Sequence, residues 1–212
     1  PGLAAWARVR DYRIGQIQKM PNVEVYRDSH LTTSDVLEFG FARVAVATGA
    51  VWRRDGVARY NLLPPLIDPA MPLFTPDDLM EGAEPKGHVV VYDDDHYYMA
   101  SVLAELLVKR GNRVTFVTPS VKVSEWSSNT LDQGFIQARL LEAGVTLRLS
   151  RGLRAIAAGG VEIACIYTGK VEELACDAIV AVTARLPVDG LILELKERAA
   201  DWSAAGIKSV AA

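Results

Sequence analysis

The stretch Val89-Val90-Val91-Tyr92-Asp93-Asp94-Asp95-His96-Tyr97-Tyr98 decides the fold of this chain. Its first four residues predict a short buried strand, and an amphipathic helix follows over residues 99–111. Residues 113–117 supply a second strand, which completes a βαβ unit of the kind that holds a dinucleotide. The sequence therefore predicts an α/β chain that contains a Rossmann-like sheet.

The turn between this strand and this helix departs from the pattern that binds phosphate. Such turns have the spacing G-x-G-x-x-G, because glycine lets backbone N–H groups approach the phosphates and lets the helix pack close to the strand. Here the three positions are Asp93, Asp95 and Tyr98. Two carboxylates would repel phosphate and a phenol ring would fill its space, so we predict a nucleotide-binding fold that has lost this site.

The run Asp93-Asp94-Asp95-His96 admits two other interpretations. Carboxylate oxygens and an imidazole suit Mg²⁺ or Mn²⁺, but consecutive side chains rarely converge on one ion. Carboxylates before a helix also complement its N-terminal dipole. We therefore expect Asp94 or Asp95 to cap the helix, and we expect no metal site.

Composition limits the classes of protein to which the chain can belong. Half of the 212 residues are hydrophobic and 23% are charged, which is typical of a globular chain. A net charge of −3 without a basic block argues against nucleic acid, and the absence of a long apolar stretch or a basic leader predicts a cytoplasmic protein that does not enter a membrane. Cys165 and Cys176, the only cysteines, are expected to be buried thiols.

Two similar strands flank a different middle. The first is Ala42-Arg43-Val44-Ala45-Val46-Ala47-Thr48-Gly49-Ala50, and the second runs from Cys176 to Thr183-Ala184-Arg185-Leu186-Pro187. Both are predicted to be buried strands that end in a tight turn. The βαβ unit lies between them, so the sequence predicts one domain inserted into another. We expect the inserted domain to cover residues 81–175 and the outer domain to cover residues 1–80 and 176–212.

This arrangement resembles the two-dinucleotide flavoprotein disulfide reductases, in which strands end in Ala-Thr-Gly and Thr-Gly-Arg-x-Pro. The stretches 91–98 and 47–52, and Pro1-Gly2-Leu3 with Arg10-Asp11-Tyr12-Arg13, are more specific. They resemble the C-terminal region of the trimethylamine, dimethylamine and histamine dehydrogenases, a family of NADH:flavin oxidoreductase-like iron–sulfur flavoproteins. Essentially the whole chain fits that region, with Ala184 in place of the usual glycine.

The resemblance implies an incomplete FAD-type, glutathione-reductase-like domain with an inserted, degenerate NAD(P)-type domain. In the intact enzymes a barrel domain carries 6-S-cysteinyl FMN and a 4Fe-4S cluster and oxidises an amine, and electrons leave to an electron-transferring flavoprotein or a similar acceptor. The region that this chain resembles would hold ADP, or an FAD-like adenine nucleotide, in a structural role without catalysis. Its binding residues would be Ala47, Thr48 and Gly49, with His30 and Leu31 near the adenine.

The same resemblance makes the chain a piece of a longer polypeptide, because the glycine-rich turn for ADP would precede Pro1. Its first partner would then be the remainder of that polypeptide, and pairing between copies would cover an exposed sheet edge. Two alternatives remain open. One is an NAD(P)H-dependent reductase of the flavin or dienoyl-CoA reductase kind, and the other is a docking module for an electron-transfer partner.

Overall fold

The computed structural model describes residues 5–212, so the opening Pro1-Gly2-Leu3 of the resemblance lies outside the described residues. The helices are α1 (Ala7–Ile17), α2 (Thr33–Phe39), α3 (Pro76–Met80), α4 (Tyr98–Lys109), α5 (Gln133–Glu142) and α6 (Gly190–Glu197), with 3₁₀ turns at Glu125–Thr130 and Ala199–Asp201. The strands are β1 (Arg43–Ala45), β2 (Ala50–Trp52), β3 (Leu66–Ile67), β4 (Leu73–Phe74), β5 (His88–Asp93), β6 (Arg113–Val117), β7 (Thr146–Arg148), β8 (Arg151–Ala157), β9 (Gly160–Cys165), β10 (Val171–Ala175), β11 (Ala178–Val182), β12 (Arg185–Pro187) and β13 (Ser209–Ala211). No helix among these residues is both long enough and apolar enough to cross a bilayer.

The chain divides into two compact units. The inserted unit is Val51–Leu186, and the outer unit combines the residues up to Ala50 with Pro187–Ala212. These divisions differ from the expected boundaries at 80/81 and 175/176. The reason is strand pairing: β11 lies beside β5 in one sheet, and β4 lies on the other side of β11. Both strands therefore belong to the inserted unit, although the sequence pattern assigned them to the outer domain.

The inserted unit is built on a five-stranded sheet in the order β4-β11-β5-β6-β7, and the adjacent strands are parallel. Strands that are buried on both faces read as continuous apolar runs, as β5 and β11 do. On one face, α4 and α5 pack against the sheet through Leu103, Leu107 and Leu140. The α/β prediction is confirmed, and α4 begins and ends within two residues of the predicted helix.

A second sheet covers the other face of the parallel sheet. Its order is β10-β9-β8-β3, with antiparallel pairing between β8, β9 and β10. Side chains such as Leu153, Ile156 and Ile163 form a core with Val90 and Ile179 of the parallel sheet. The inserted unit thus has three layers, and the carboxyl ends of β5 and β6 lie side by side at one edge.

The outer unit is smaller and has fewer buried side chains. Strands β1 and β13 form a parallel pair, with Val44 opposite Val210, and helices α2 and α6 lie close to each other. Thr32 caps α2 in a capping box with Asp35. None of the residues of α1, all of which are described, is buried.

The crossover into the inserted unit begins as the sequence predicts. Thr75 and Asp78 form a capping box at α3, in which the Asp78 carboxylate accepts the backbone N–H of Thr75 at 2.7 Å. Pro76 occupies the first helical position. Thr75 is almost fully buried, so this cap is a fixed part of the fold.

Candidate functional site

A cavity of about 620 Å³ lies within the outer unit. Its lining residues come from the segment before α2, from α2 itself, from β1 and the turn after it, and from the start of α6. They are Ser29, His30, Leu31, Thr32, Val36, Val44, Ala45, Val46, Ala47, Thr48, Val188, Gly190, Leu191 and Glu194. Apolar side chains form much of the wall, and three hydroxyl groups are interspersed among them.

Two hydrogen bonds fix the turn that follows β1. The Thr48 hydroxyl donates to the carbonyl oxygen of Val188, and the Val188 N–H donates to the carbonyl oxygen of Gly49 at 2.9 Å. Gly49 has φ +80°, a left-handed conformation that disfavours other residues. The strand end and the start of α6 are therefore held together, although they are far apart in sequence.

Four of the five residues predicted to bind a nucleotide line this cavity. They are His30, Leu31, Ala47 and Thr48, and the fifth, Gly49, is outside the lining set but closes the adjacent turn. The sequence interpretation did not include the contribution of Val188, Gly190, Leu191 and Glu194. The pair Asp189-Gly190 before an amphipathic run was the available signal, since it marks the start of a helix directly after a strand.

The cavity has little positive charge with which to hold an anion. Among the described residues that line it there is no lysine or arginine, and Glu194 contributes a carboxylate. The Glu194 side chain accepts a hydrogen bond from the Thr33 hydroxyl at 2.7 Å. Such a wall suits a flat, largely uncharged group with hydroxyl and amine substituents, and it offers no nucleophile paired with a base.

The altered turn of the inserted unit shows where the three glycine positions lie. Asp93 is fully buried at the end of β5, and its Oδ1 accepts the N–H groups of Asp95 at 3.2 Å and His96 at 3.0 Å. Tyr98 begins α4 and directs its hydroxyl to Thr130 and Asp132. The carboxylate of Asp93 thus occupies the N–H groups that a phosphate would need.

The expected helix cap at Asp94 or Asp95 is wrong. The residue before α4 is Tyr97, and no side chain caps this helix. Asp94, fully buried, instead accepts the N–H groups of Tyr60 at 2.9 Å and Asn61 at 3.4 Å, and these donors are distant in sequence. A nonlocal partner satisfies the carboxylate, and so local helix chemistry does not decide its position.

Asp95 faces cationic side chains. Its Oδ1 lies 3.6 Å from a guanidinium nitrogen of Arg185. Burial raises the pKa of the Asp95 carboxyl, while the charges of Arg185 and Arg59 oppose that shift. Arg59 also stacks 4.2 Å above the ring of Trp126, and together with Asp94 it lines a cavity of about 370 Å³ at this edge of the sheet.

Among residues 5–212, no three His, Cys, Asp or Glu side chains are grouped so that they could hold a metal ion. The expectation of two buried thiols holds for Cys176, whose pKa burial raises to about 11. It is wrong for Cys165, which is only half-buried and whose pKa is lowered to about 7 by hydrogen bonds from Thr168 and Tyr167.

Comparisons with known proteins agree with this architecture. A family model described as the OYE-like second alpha/beta domain matches residues 74–174. Dimethylamine dehydrogenase of Hyphomicrobium sp. (strain x) is 31% identical over 236 residues, which covers 99% of this chain and 32% of that protein.

Two solved structures are similar over nearly the whole chain. Histamine dehydrogenase from Rhizobium sp. 4-9 is 54% identical with a TM-score of 0.96, covering 99% of this chain and 33% of its own. The 6-hydroxypseudooxynicotine amine oxidase of Pseudomonas geniculata N1 is 38% identical with a TM-score of 0.91, covering 99% of this chain and 31% of its own.

The fold, with its parallel sheet, is that of the flavoprotein oxidoreductases. More narrowly, the chain belongs to the trimethylamine, dimethylamine and histamine dehydrogenase family, as the sequence resemblance predicted. It spans about a third of the length of the relatives that it matches.

Proposed function

We propose that this chain is the nucleotide-binding-fold portion of an amine dehydrogenase-like iron–sulfur flavoprotein, and that its outer unit holds ADP in a structural role. The outer unit would be a partial FAD-type domain, and the inserted unit a degenerate NAD(P)-type domain. The observation that carries the proposal is the outer cavity, whose wall contains His30, Leu31, Ala47 and Thr48.

ADP fits part of this cavity well. The volume of about 620 Å³ lies within the range of small-molecule sites, and apolar side chains such as Leu31 and Val46 suit a purine ring. Ser29, Thr32 and Thr48 supply hydroxyls for its polar edges or for the ribose. The phosphates do not fit a wall that contains Glu194 and no basic side chain, so they would lie at the mouth of the cavity.

FMN and a 4Fe-4S cluster, if the whole protein resembles its relatives, would be held outside this sequence. A 4Fe-4S cluster needs four thiolate ligands, and the chain has two cysteines. Bound elsewhere in the enzyme, the two groups would supply amine oxidation and electron transfer. An electron-transferring flavoprotein or a similar protein would accept the electrons. The residues of this chain would then contribute nucleotide binding and packing against the remainder of the polypeptide.

Isothermal titration of the chain with ADP, FAD and NADPH in parallel tests the proposal. We expect ADP to bind and NADPH not to bind, because Asp93 occupies the backbone N–H groups of Asp95 and His96 at the altered turn. NADPH binding with an affinity typical of reductases would instead support the NAD(P)H-dependent alternative. If none of the three ligands bound, the ADP-holding role would be lost.

Ala47→Trp is the variant that locates the site. Ala47 is exposed and lines the cavity, so a tryptophan there would fill part of the cavity volume. We expect this substitution to weaken ADP binding at least tenfold. Ala70→Trp makes the same change at an exposed position of the inserted unit and should leave ADP binding unchanged. Equal affinities in the two variants would place the nucleotide elsewhere.

A further inference from the structure

A buried cluster of ionisable side chains lies at the end of β5, and the proposed nucleotide-holding role does not use it. Asp93 and Asp94 have no exposed surface, and His96 is 7% exposed. Buried acidic and imidazole groups are unusual unless they are paired, because burial penalises their charged forms. The three side chains therefore need a common explanation.

Both aspartates contact His96, Asp94 at its imidazole and Asp93 at its backbone. Oδ1 of Asp94 lies 3.3 Å from Nε2 of His96, and Oδ1 of Asp93 accepts the His96 backbone N–H at 3.0 Å. Two further atoms of the cluster, Asp93 Oδ2 and His96 Nδ1, are buried without a hydrogen-bond partner. A proton on Asp93 Oδ2 would remove the charge of a buried carboxylate oxygen that has no hydrogen-bond partner.

The electrostatic balance favours proton binding by this cluster near neutral pH. Burial raises the pKa of Asp93 to about 7, against the opposing effects of the His96 N–H and the His96 charge. Burial alone would lower the pKa of His96, but the hydrogen bond to Asp94 and the charges of Asp93 and Asp94 outweigh it, so its pKa is raised. Asp93 and His96 each shift the pKa of the other, so their protonation is coupled.

Neighbouring elements supply the remaining charges around the cluster. The charge of Arg59 lowers the pKa of both His96 and Asp95, and the charge of Arg185 lowers the pKa of Asp95. The hydroxyl of Tyr92 is also buried, with the charges of Asp94 and Asp93 nearby. The other titratable residues that line the cavity beside Asp94 and His96 are Tyr60, Glu125 and Tyr167.

The backbone of this turn couples the cluster to an aromatic contact. His96 has φ +66°, a left-handed conformation that is uncommon for residues other than glycine, although asparagine, aspartate and histidine adopt it more often than the rest. Its carbonyl oxygen accepts the N–H of Trp126 at 3.1 Å, and the ring of Trp126 packs edge-on against Tyr97 at 5.1 Å. A rearrangement of residues 94–97 would therefore change the surroundings of Trp126.

We propose that Asp93, Asp94 and His96 form a proton-operated latch on the turn 94–97. With the proton bound, the latch holds His96 against Asp94 and keeps Trp126 hydrogen-bonded to the turn. When this proton leaves Asp93, three neighbouring carboxylates repel one another, so the turn loosens. The consequence is a pH-dependent opening of the cavity that Asp94, His96 and Arg59 line.

Tryptophan fluorescence of the chain, followed from about pH 5 to about pH 9, tests the latch. The chain has four tryptophans, so Trp126→Phe is measured in parallel and subtracted to isolate the signal of Trp126. We expect a single transition in that difference signal, with its midpoint at about pH 7. A signal from Trp126 that stays constant through this range would overturn the proposal.

Two substitutions ask whether the cluster causes the transition. Asp93→Asn keeps the Oδ1 acceptor but removes the titrating carboxyl, and His96→Asn removes the imidazole with a residue that tolerates the left-handed conformation. Each should abolish or shift the midpoint by more than one pH unit. Asp28→Asn, at an exposed position in the outer unit, is the matched control and should leave it unchanged.

Nitrogen-15 NMR of the three imidazoles gives a second readout that does not depend on fluorescence. We expect the resonance assigned to His96, by its absence in His96→Asn, to titrate at the same pH as the Trp126 signal. If one of the two variants fails to fold, the other decides between the outcomes. A Trp126 transition that persists unaltered in a folded variant would assign it to other groups and overturn the latch.

Discussion

At the residue scale, the aspartates of the altered turn act as an internal substitute for a bound anion. Asp93 accepts two backbone N–H groups within its own turn, and Asp94 accepts two more from Tyr60 and Asn61. A phosphate-binding turn presents such donors to its ligand. Here the protein's own carboxylates satisfy the donors, and the N–H groups of Asp95 and His96 are already bonded to Asp93.

Asp93→Asn should make the stability of the inserted unit less dependent on pH. Folding raises the pKa of Asp93 from 3.8 to about 7, so between these values the folded chain holds a proton that the unfolded chain has lost. The stabilisation is complete below about pH 4 and disappears as the pH rises through about 7. We expect the variant to gain on the order of 3 kcal/mol relative to the parent between about pH 5 and about pH 8, measured by urea denaturation.

The difference between the two proteins reports on Asp93 together with its coupling to His96, because the charge of Asp93 is one of the causes that raise the His96 pKa. His96 contributes in the same direction in both, since a raised histidine pKa also stabilises the folded state at low pH. Parallel stability curves for parent and variant would show that Asp93 does not carry a raised pKa.

At the scale of single elements, local sequence signals predicted the bounds of strands and helices well, but they predicted the hydrogen-bond partners of side chains poorly. Strand β6 was predicted to the residue at 113–117, because a β-branched and aromatic run, Val114 to Val117, follows shortly after Gly111. The acids before α4 carried an equally clear local signal for a cap, yet the donors that bind Asp94 come from the segment around Tyr60. Nonlocal backbone donors leave no trace in the residues beside the carboxylate.

Two Gly→Ala substitutions test opposite expectations about element interiors. At Gly160 an added Cβ would meet the Leu174 carbonyl oxygen at 2.7 Å, so the hairpin of β9 and β10 must shift. At Gly134, near the start of α5, nothing lies within 4 Å. We expect Gly160→Ala to destabilise by about 1–3 kcal/mol, and Gly134→Ala to stabilise by up to about 1 kcal/mol.

Urea denaturation of both variants against the parent measures these changes. The two proteins control for each other, because the substitution is chemically identical and only its surroundings differ. A stabilising Gly160→Ala would mean that the β9–β10 pairing adapts without strain, and a destabilising Gly134→Ala would mean that α5 needs glycine at that position.

At the scale of the whole molecule, the inserted unit carries most of the buried apolar surface of residues 5–212. Both hydrophobic clusters lie within it, whereas the outer unit buries a small set that includes Val36, Ile192, Leu195 and Ile207.

The α/β class and the presence of an insertion were accessible from sequence periodicity. The boundaries were not, because β11 resembles β1 in its residues but pairs with β5. The sequence also predicted only one part of the wall of the outer cavity. Gly190, Leu191 and Glu194 complete that wall, and they follow the inserted unit in the sequence.

Hydrogen exchange should distinguish the two units and report on the nucleotide. We expect the slowest amides in β5, β6 and β11, and faster exchange in β1 and β13. If the outer unit holds ADP, ADP at a hundred times its dissociation constant should slow exchange there by up to about a hundredfold. The inserted unit should not respond.

The measurement is mass spectrometry of peptides from the chain with and without ADP, and Ala47→Trp serves as the control that should show no protection. Protection of peptides around Asp93 instead of the outer unit would move the nucleotide to the other cavity. Equal exchange rates in β1 and β5 would contradict the uneven distribution of the core.

The parallel pair of β1 and β13 has a consequence for how the polypeptide acquires its structure during synthesis. Arg43 pairs with Ser209, so β1 leaves the ribosome early but has to wait for its partner until the end of this chain has emerged. The inserted unit is contiguous and can fold first, as domains do when their contacts lie within one stretch of chain. Closing so long a loop is entropically unfavourable until that stretch has become compact, and the folded insertion then brings the two strands within reach. The inserted unit would in this way act as the internal scaffold on which the outer unit is completed.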